Sequence, residues 1–127
     1  MRSPEIAAII QPFETGAPAV GRPERRNDPR WPYAVTQLVA FHEEDQQPTK
    51  EMFQPVRCHD ISLGGISFFL SGPPPLKHCT VILGRPPSLI FVRARITHYE
   101  AQGASLREWK IGCQFIEKVE STPARGK

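Results

Sequence analysis

Residues 89–99, with the sequence Leu-Ile-Phe-Val-Arg-Ala-Arg-Ile-Thr-His-Tyr, form the stretch that decides the fold. Small or aliphatic side chains occupy every second position of 90–96, and Arg93, Arg95 and Thr97 lie among the positions between them. Successive side chains of a β-strand point to opposite faces of the sheet. This alternation therefore predicts a strand with one face on a core and the other towards solvent.

Five further short segments are predicted as strands at roughly ten-residue spacing, and they are 33–41, 53–61, 66–70, 79–83 and 109–115. Turn-forming residues separate them and no helical crossover lies between them, which indicates an antiparallel all-β sheet. Because open edge strands promote aggregation, closure into a six-stranded barrel is the favoured arrangement. A short C-terminal helix beginning near Ile116 is also considered.

One domain is expected in a chain of 127 residues. Residues 1–21 show no sustained period and contain several prolines and glycines, so they predict a flexible or loosely docked extension with one helical turn near 6–10. Residues 22–120 are the predicted domain, and 121–127 are a predicted disordered tail.

Composition narrows the class of protein. The three cysteines, Cys58, Cys79 and Cys113, are odd in number and lack CxxC spacing, which disfavours a disulfide framework and a zinc site and favours a cytoplasmic protein. No apolar run is long enough for a membrane span, and a secretory signal is not expected. The net charge is only +3. A local arginine cluster on a nearly neutral protein favours a small anionic ligand over a long polyanion.

The arginine cluster contains the first motif, Arg25-Arg26-Asn27-Asp28-Pro29-Arg30, in which Arg26 and Arg30 have RxxxR spacing. A guanidinium group can grip a phosphate with two hydrogen bonds, stack on a base, or pair with O6 and N7 of guanine. Two such groups four residues apart can therefore hold both the phosphate and the base of a guanine nucleotide. A solvated basic linker is the plain alternative.

The second motif is Asp60-Ile61-Ser62-Leu63-Gly64-Gly65, which has the pattern DxSxxG. Asp60 can accept the N1 and N2 hydrogens of a guanine edge. Ser62 can close a side-chain-to-backbone turn. Gly64 and Gly65 permit positive φ and leave the backbone open to a flat ligand. An ordinary strand turn explains the same residues.

Together, the two motifs and the closing segment Ile111-Gly112-Cys113-Gln114-Phe115-Ile116 resemble the PilZ family over about three-quarters of the chain. The resemblance implies a six-stranded antiparallel barrel that binds the second messenger cyclic di-GMP on its outer surface. It places Arg26 and Arg30 on the phosphates and guanine faces, with Arg25 beside them. It also places Asp60 and Ser62 on a guanine.

Within this resemblance, Gly64 and Gly65 belong to the ligand-binding turn, and Gly65 keeps that turn open. Four further residues are possible peripheral contacts. Trp31 can stack on a guanine or form a hydrophobic lid over the barrel end. Arg93 and Arg95 either line the site or lie on a solvated strand face, and His98 flanks the ligand.

The sequence is compatible with three functions. The first is a cyclic di-GMP receptor in which the ligand orders the arm 22–30 and changes a surface that binds an unidentified protein partner. The second is a PilZ-like adaptor that binds no nucleotide. The third, a barrel that binds single-stranded nucleic acid, is disfavoured by few exposed aromatics and low net charge. Neither an enzyme nor a metal or cofactor site is expected, because no catalytic or metal-ligand spacing is found.

Overall fold

In the part of the chain that the structure describes, seven antiparallel strands form one sheet that closes on itself. The computed structural model describes residues 4–10, 30–85, 88–103 and 107–119. The helix α1 spans Pro4–Ile10, and the strands are β1 Trp31–Pro32, β2 Thr36–His42, β3 Gln54–Ile61, β4 Gly65–Leu70, β5 His78–Arg85, β6 Ser88–Gln102 and β7 Glu108–Val119. A short 3-10 helix, Lys50–Met52, precedes β3.

The barrel contains β2 to β7, with neighbours in the order β3-β2-β5-β6-β7-β4, and pairing of β4 with β3 closes it. The predicted six-stranded antiparallel barrel is therefore confirmed. All six predicted strands are present, although β5, β6 and β7 extend beyond their predicted ends. The two-residue strand β1 was not predicted. It pairs with the end of β3 through Trp31 opposite Ile61.

The C-terminal helix considered near Ile116 is wrong, because β7 continues as a strand to Val119. The cause is the length of β6, whose 15 residues supply hydrogen-bonding partners for the whole of β7. Phe91 pairs with Val119, and Arg93 pairs with Glu117. The polar residues after Ile116 thus lie on a paired strand.

Apolar side chains of all six barrel strands fill the interior. Val39, Phe68, Val92 and Ile111 are fully buried there. The three cysteines are also buried and carry free thiols. Burial raises the pKa of Cys58 to about 12, so its thiol stays protonated at neutral pH. The cysteines behave as small core residues.

Helix α1 is docked on the barrel. Ile6 and Ile10, one helical turn apart, are both buried and belong to the core cluster. Lys118 of β7 forms a 2.7 Å ion pair with Glu5. The predicted helical turn is confirmed and begins earlier, at Pro4. This helix is the part of the predicted extension 1–21 that the structure describes. The sequence had not indicated that its two isoleucines would be buried.

The predicted domain limits, between 21 and 22 and between 120 and 121, lie outside the described residues and stay predictions. Among the described residues, no helix has the length and apolar character needed to cross a bilayer.

Candidate functional site

An open pocket of about 630 Å³ lies on the outer wall of the barrel, where β3, β4, β6 and β7 are neighbours. Its walls contain Arg30, Asp60, Ser62, Gly64, Gly65, Ser67, Thr97, His98, Lys110, Gly112, Cys113 and Gln114. The pocket therefore brings together five residues of the two sequence motifs, which are up to 35 positions apart in the chain.

Strand pairing sets the layout of the pocket. Asp60 lies opposite Ser67, Ser67 opposite Gly112, and Gly112 opposite His98. These four residues form a row across four strands, which spans about 14 Å at the usual strand spacing. Two positions away on β7, on either side of Gly112, are Lys110 and Gln114. The row forms part of the floor of the pocket.

Asp60 and Arg30 form the polar centre of the site. Nε and Nη2 of Arg30 donate hydrogen bonds to Oδ1 of Asp60, over 3.1 and 2.9 Å. The hydroxyl of Ser67 donates to the same oxygen over 2.7 Å. Nδ1 of His59 lies 3.2 Å from Oδ2 and acts as its donor, because the ionised carboxylate can only accept.

These contacts keep Asp60 ionised although it is buried. Burial by itself acts to raise the pKa of Asp60, but the hydrogen bonds from Arg30 and Ser67 and the positive charge of Arg30 outweigh it. The pKa of Asp60 consequently lies below its ordinary value. Among the described residues, Oδ1 has three donors while Oδ2 has one, so Oδ2 retains capacity to accept a ligand hydrogen.

Ser62 holds the turn between β3 and β4. Its Oγ accepts hydrogen bonds from the backbone N–H groups of Gly64 and Gly65, both over 3.1 Å. The backbone N–H of Ser62 donates to the carbonyl of Gly65 over 2.8 Å. The predicted side-chain-to-backbone turn is therefore present. Ser62 is buried, and its hydrogen bonds shape the wall of the pocket.

Gly65 is required by a close approach of two backbones. A Cβ atom at this position would lie 2.2 Å from the carbonyl oxygen of Cys113 on β7. The sequence had suggested positive φ for this pair of glycines, but in the described chain positive φ is found at Gly84 and Gly103. Gly64 contributes differently, because its carbonyl accepts a 2.9 Å hydrogen bond from Phe115. Both glycines thus fasten the turn to β7.

The four peripheral candidates differ in position. His98 lines the pocket. Arg95 lies beside it, because its Nη2 donates over 3.2 Å to Gln114, which lines the pocket. Arg93 is turned away towards Glu117 and the backbone carbonyl of Glu44.

Trp31 is half-buried against the core and does not belong to the pocket walls among the described residues. The stacking and the hydrophobic lid considered for Trp31 both stay predictions. Arg25 and Arg26 lie outside the described residues.

Several pocket residues were not predicted from the sequence. Lys110, Gly112 and Gln114 share the outer face of β7, while Ile111, Cys113 and Phe115 point inward. That alternation was visible, but nothing in the sequence paired β7 with β4. Ser67, two positions after Gly65, was hidden for the same reason. Among the described residues, no group of His, Cys, Asp or Glu side chains is arranged to hold a metal ion.

The fold and the site together define a β-barrel module with an open pocket on its outer wall. The family model of the PilZ domain matches residues 24–125, about four-fifths of the chain, and the chain belongs to this family. Membership identifies either a module of the cyclic di-GMP-binding type or a PilZ-like adaptor.

Among solved structures, the chain is similar to the Bacillus subtilis inhibitor of motility (MotI/DgrA), with a TM-score of 0.49 and 18% sequence identity. The match covers 78% of this chain and 46% of that one, so the chain spans less than half the length of that protein. No curated protein matched the sequence.

Proposed function

We propose that this chain is a receptor module that binds cyclic di-GMP in the outer-wall pocket. Binding changes a surface of the module that contacts a protein partner. The observation that carries the proposal is the pocket itself, in which Arg30 of the first motif meets Asp60 of the second. Membership of the PilZ family supports it, because both motifs of the family are present in the sequence.

The chemistry of the pocket suits a guanine nucleotide. The carboxylate of Asp60 is ionised and has an oxygen, Oδ2, that can accept a guanine N–H. Arg30 uses Nε and Nη2 for Asp60, which leaves Nη1 to donate to a phosphate or to a guanine acceptor. In this proposal Arg25 and Arg26 supply the remaining phosphate contacts.

The proposed output surface includes the N-terminal helix. Helix α1 is held by Ile6, Ile10 and the ion pair of Glu5 with Lys118. The chain runs from this helix through 11–29 to Arg30, so tightening of the arginines on a ligand acts on a segment fixed at both ends. We propose that binding alters the docking of α1, in a cytoplasmic protein without catalytic activity.

One observation favours the adaptor as a second candidate. The ion pair of Arg30 with Asp60 satisfies Oδ1 completely without any ligand. A guanine edge that took both carboxylate oxygens would have to displace Arg30. A protein that kept this pair closed would present a rigid wall and work through protein contacts alone.

Calorimetric titration of matched variants tests the proposal. Arg26→Ala and Arg30→Ala should each weaken cyclic di-GMP binding by at least about tenfold, because each removes charge-assisted hydrogen bonds. Arg57→Ala is the control, since Arg57 is an exposed arginine outside the pocket and its loss changes the net charge equally. Equal binding by all three variants would contradict the assigned site, and no binding by the wild type would support the adaptor.

A further inference from the structure

Lys110 lies in the pocket at a position that neither sequence motif includes. It is half-buried on the outer face of β7, two residues from Gly112 in the row that begins at Asp60. Strand spacing puts its backbone about 12 Å from that of Asp60. The pocket therefore has a second cationic end, away from Arg30.

The ammonium group of Lys110 has no ion-pair partner among the described residues. The residue directly opposite on β6 is Glu100, which is the obvious candidate. The carboxylate of Glu100 instead faces its own strand: Oε2 accepts a 3.1 Å hydrogen bond from Gln102, and Oε1 lies 3.6 Å from Nε2 of His98. On the other side, the residue opposite Lys110 on β4 is Phe69, which carries no charge.

The charges of the pocket favour an anion near this lysine. The wall residues with acidic or basic side chains, histidine aside, are Arg30, Lys110 and Asp60, and Asp60 is occupied by Arg30. The positive charge of Lys110 is therefore not neutralised within the pocket. A half-buried ammonium without a partner loses part of its hydration, which an anionic ligand can restore.

The floor beside Lys110 is open. A Cβ atom added at Gly112 would meet its nearest neighbour, Cβ of His98, at 3.6 Å, which is ordinary contact. Packing of the barrel therefore does not require glycine here, in contrast to Gly65. The absence of a side chain between Lys110 and Gln114 leaves room for a ligand to lie across β7.

We propose that Lys110 is a ligand-contacting residue that binds a phosphate of the cyclic dinucleotide at the end of the pocket away from Arg30. The inference rests on the proposed function and adds to it a phosphate contact from the barrel wall. A cyclic dinucleotide carries two phosphodiester groups on opposite sides of one ring. The arginines take one of them, and Lys110 takes the other.

The test is calorimetric titration of the full chain with cyclic di-GMP, using Lys110→Met, Lys110→Arg and the control Lys77→Met. Lys77 is exposed and outside the pocket, so its replacement changes the net charge equally. Lys110→Met should bind about tenfold or more weakly in low salt, since a charge-assisted contact is lost. Lys110→Arg should retain most of the affinity, and Lys77→Met should bind as the wild type does.

Salt separates a phosphate contact from a structural role. The difference in affinity between the wild type and Lys110→Met should shrink as NaCl rises from about 0.05 to about 0.5 M, because screening weakens partly exposed charge contacts. Binding of Lys110→Met within twofold of the wild type, or equal weakening by Lys110→Met and Lys110→Arg, would overturn the inference and leave the proposed function standing. A wild-type protein that bound no cyclic di-GMP would overturn both.

Discussion

Arg30 and Asp60, 30 positions apart in the chain, are joined by two hydrogen bonds from one guanidinium to a single carboxylate oxygen. The pair connects the residue that ends the arginine motif with the residue that begins the DxSxxG motif. It therefore ties Arg30 to the end of β3. The pair is largely shielded from solvent, with 20% and 11% of the two side chains exposed.

The first prediction concerns the energy of this pair. A double-mutant cycle of Arg30→Gln and Asp60→Asn, measured by chemical denaturation, should give a coupling of about 1–3 kcal/mol. Arg57 and Glu108 supply a matched control, since they form a pair of the same 2.9 Å length with 58% and 48% exposure. That exposed pair should couple by less than about 1 kcal/mol. Equal coupling energies in the two cycles would contradict the claim that shielding from solvent strengthens the ion pair of Arg30 with Asp60.

The second prediction concerns pH. The pKa of Asp60 is lower in the folded protein than in the unfolded chain, so the unfolded chain binds a proton more readily in acid. The stabilisation from ionised Asp60 is thus complete above its ordinary pKa of about 4 and is lost as pH falls through the folded value. The difference in unfolding free energy between the wild type and Asp60→Asn should shrink as pH falls from 5 towards 3. A difference that grew in acid would contradict this sign.

The third prediction compares two glycines of the pocket. Gly65→Ala should destabilise the protein by about 1–3 kcal/mol or more, because the new methyl group meets the carbonyl oxygen of Cys113 at 2.2 Å. Gly112→Ala should leave the unfolding free energy within about 0.5 kcal/mol of the wild type, since its methyl group finds ordinary contacts. Thermal and denaturant unfolding of both variants provide the measurement. Similar losses for both would mean that β4 and β7 are not as close at Gly65 as described.

The fourth prediction concerns helix α1. Ile6→Ala should lower the unfolding free energy by about 2–5 kcal/mol, the usual cost of removing a fully buried isoleucine side chain. Ala7→Ser, on the exposed side of the same helix, is the control and should change it by less than about 0.5 kcal/mol. If Ile6→Ala unfolded like the wild type, the helix would not be docked in solution.

Much of the fold could be predicted because the strands of the barrel each bury one face. The alternation in 89–99 marks β6 correctly, since Val92 and Ala94 are buried while Arg95 and Thr97 are exposed. Strand ends were harder to place. The polar end of β7 is held by pairing with β6 and not by burial, so its side chains carried no signal against a helix.

The site was predictable only where its residues are neighbours in the chain. The turn at Ser62 follows from local hydrogen bonding and was anticipated. Ser67 and Lys110 enter the pocket through the register of β4 against β3 and β7, which a sequence pattern does not contain. Gly65 was singled out partly for a positive φ that it does not have, and the close approach of Cys113, which requires glycine there, also depends on that register.

The most direct test of the receptor function is a calorimetric titration of the wild-type protein with cyclic di-GMP, compared with GMP and cyclic di-AMP under the same conditions. Fluorescence of Trp31 and Trp109 gives an independent signal. The account predicts saturable binding of cyclic di-GMP and at least about tenfold weaker binding of the other two, because Asp60 and Arg30 match guanine and the phosphates together. No saturable response, or equal responses to the guanine and adenine dinucleotides, would contradict it.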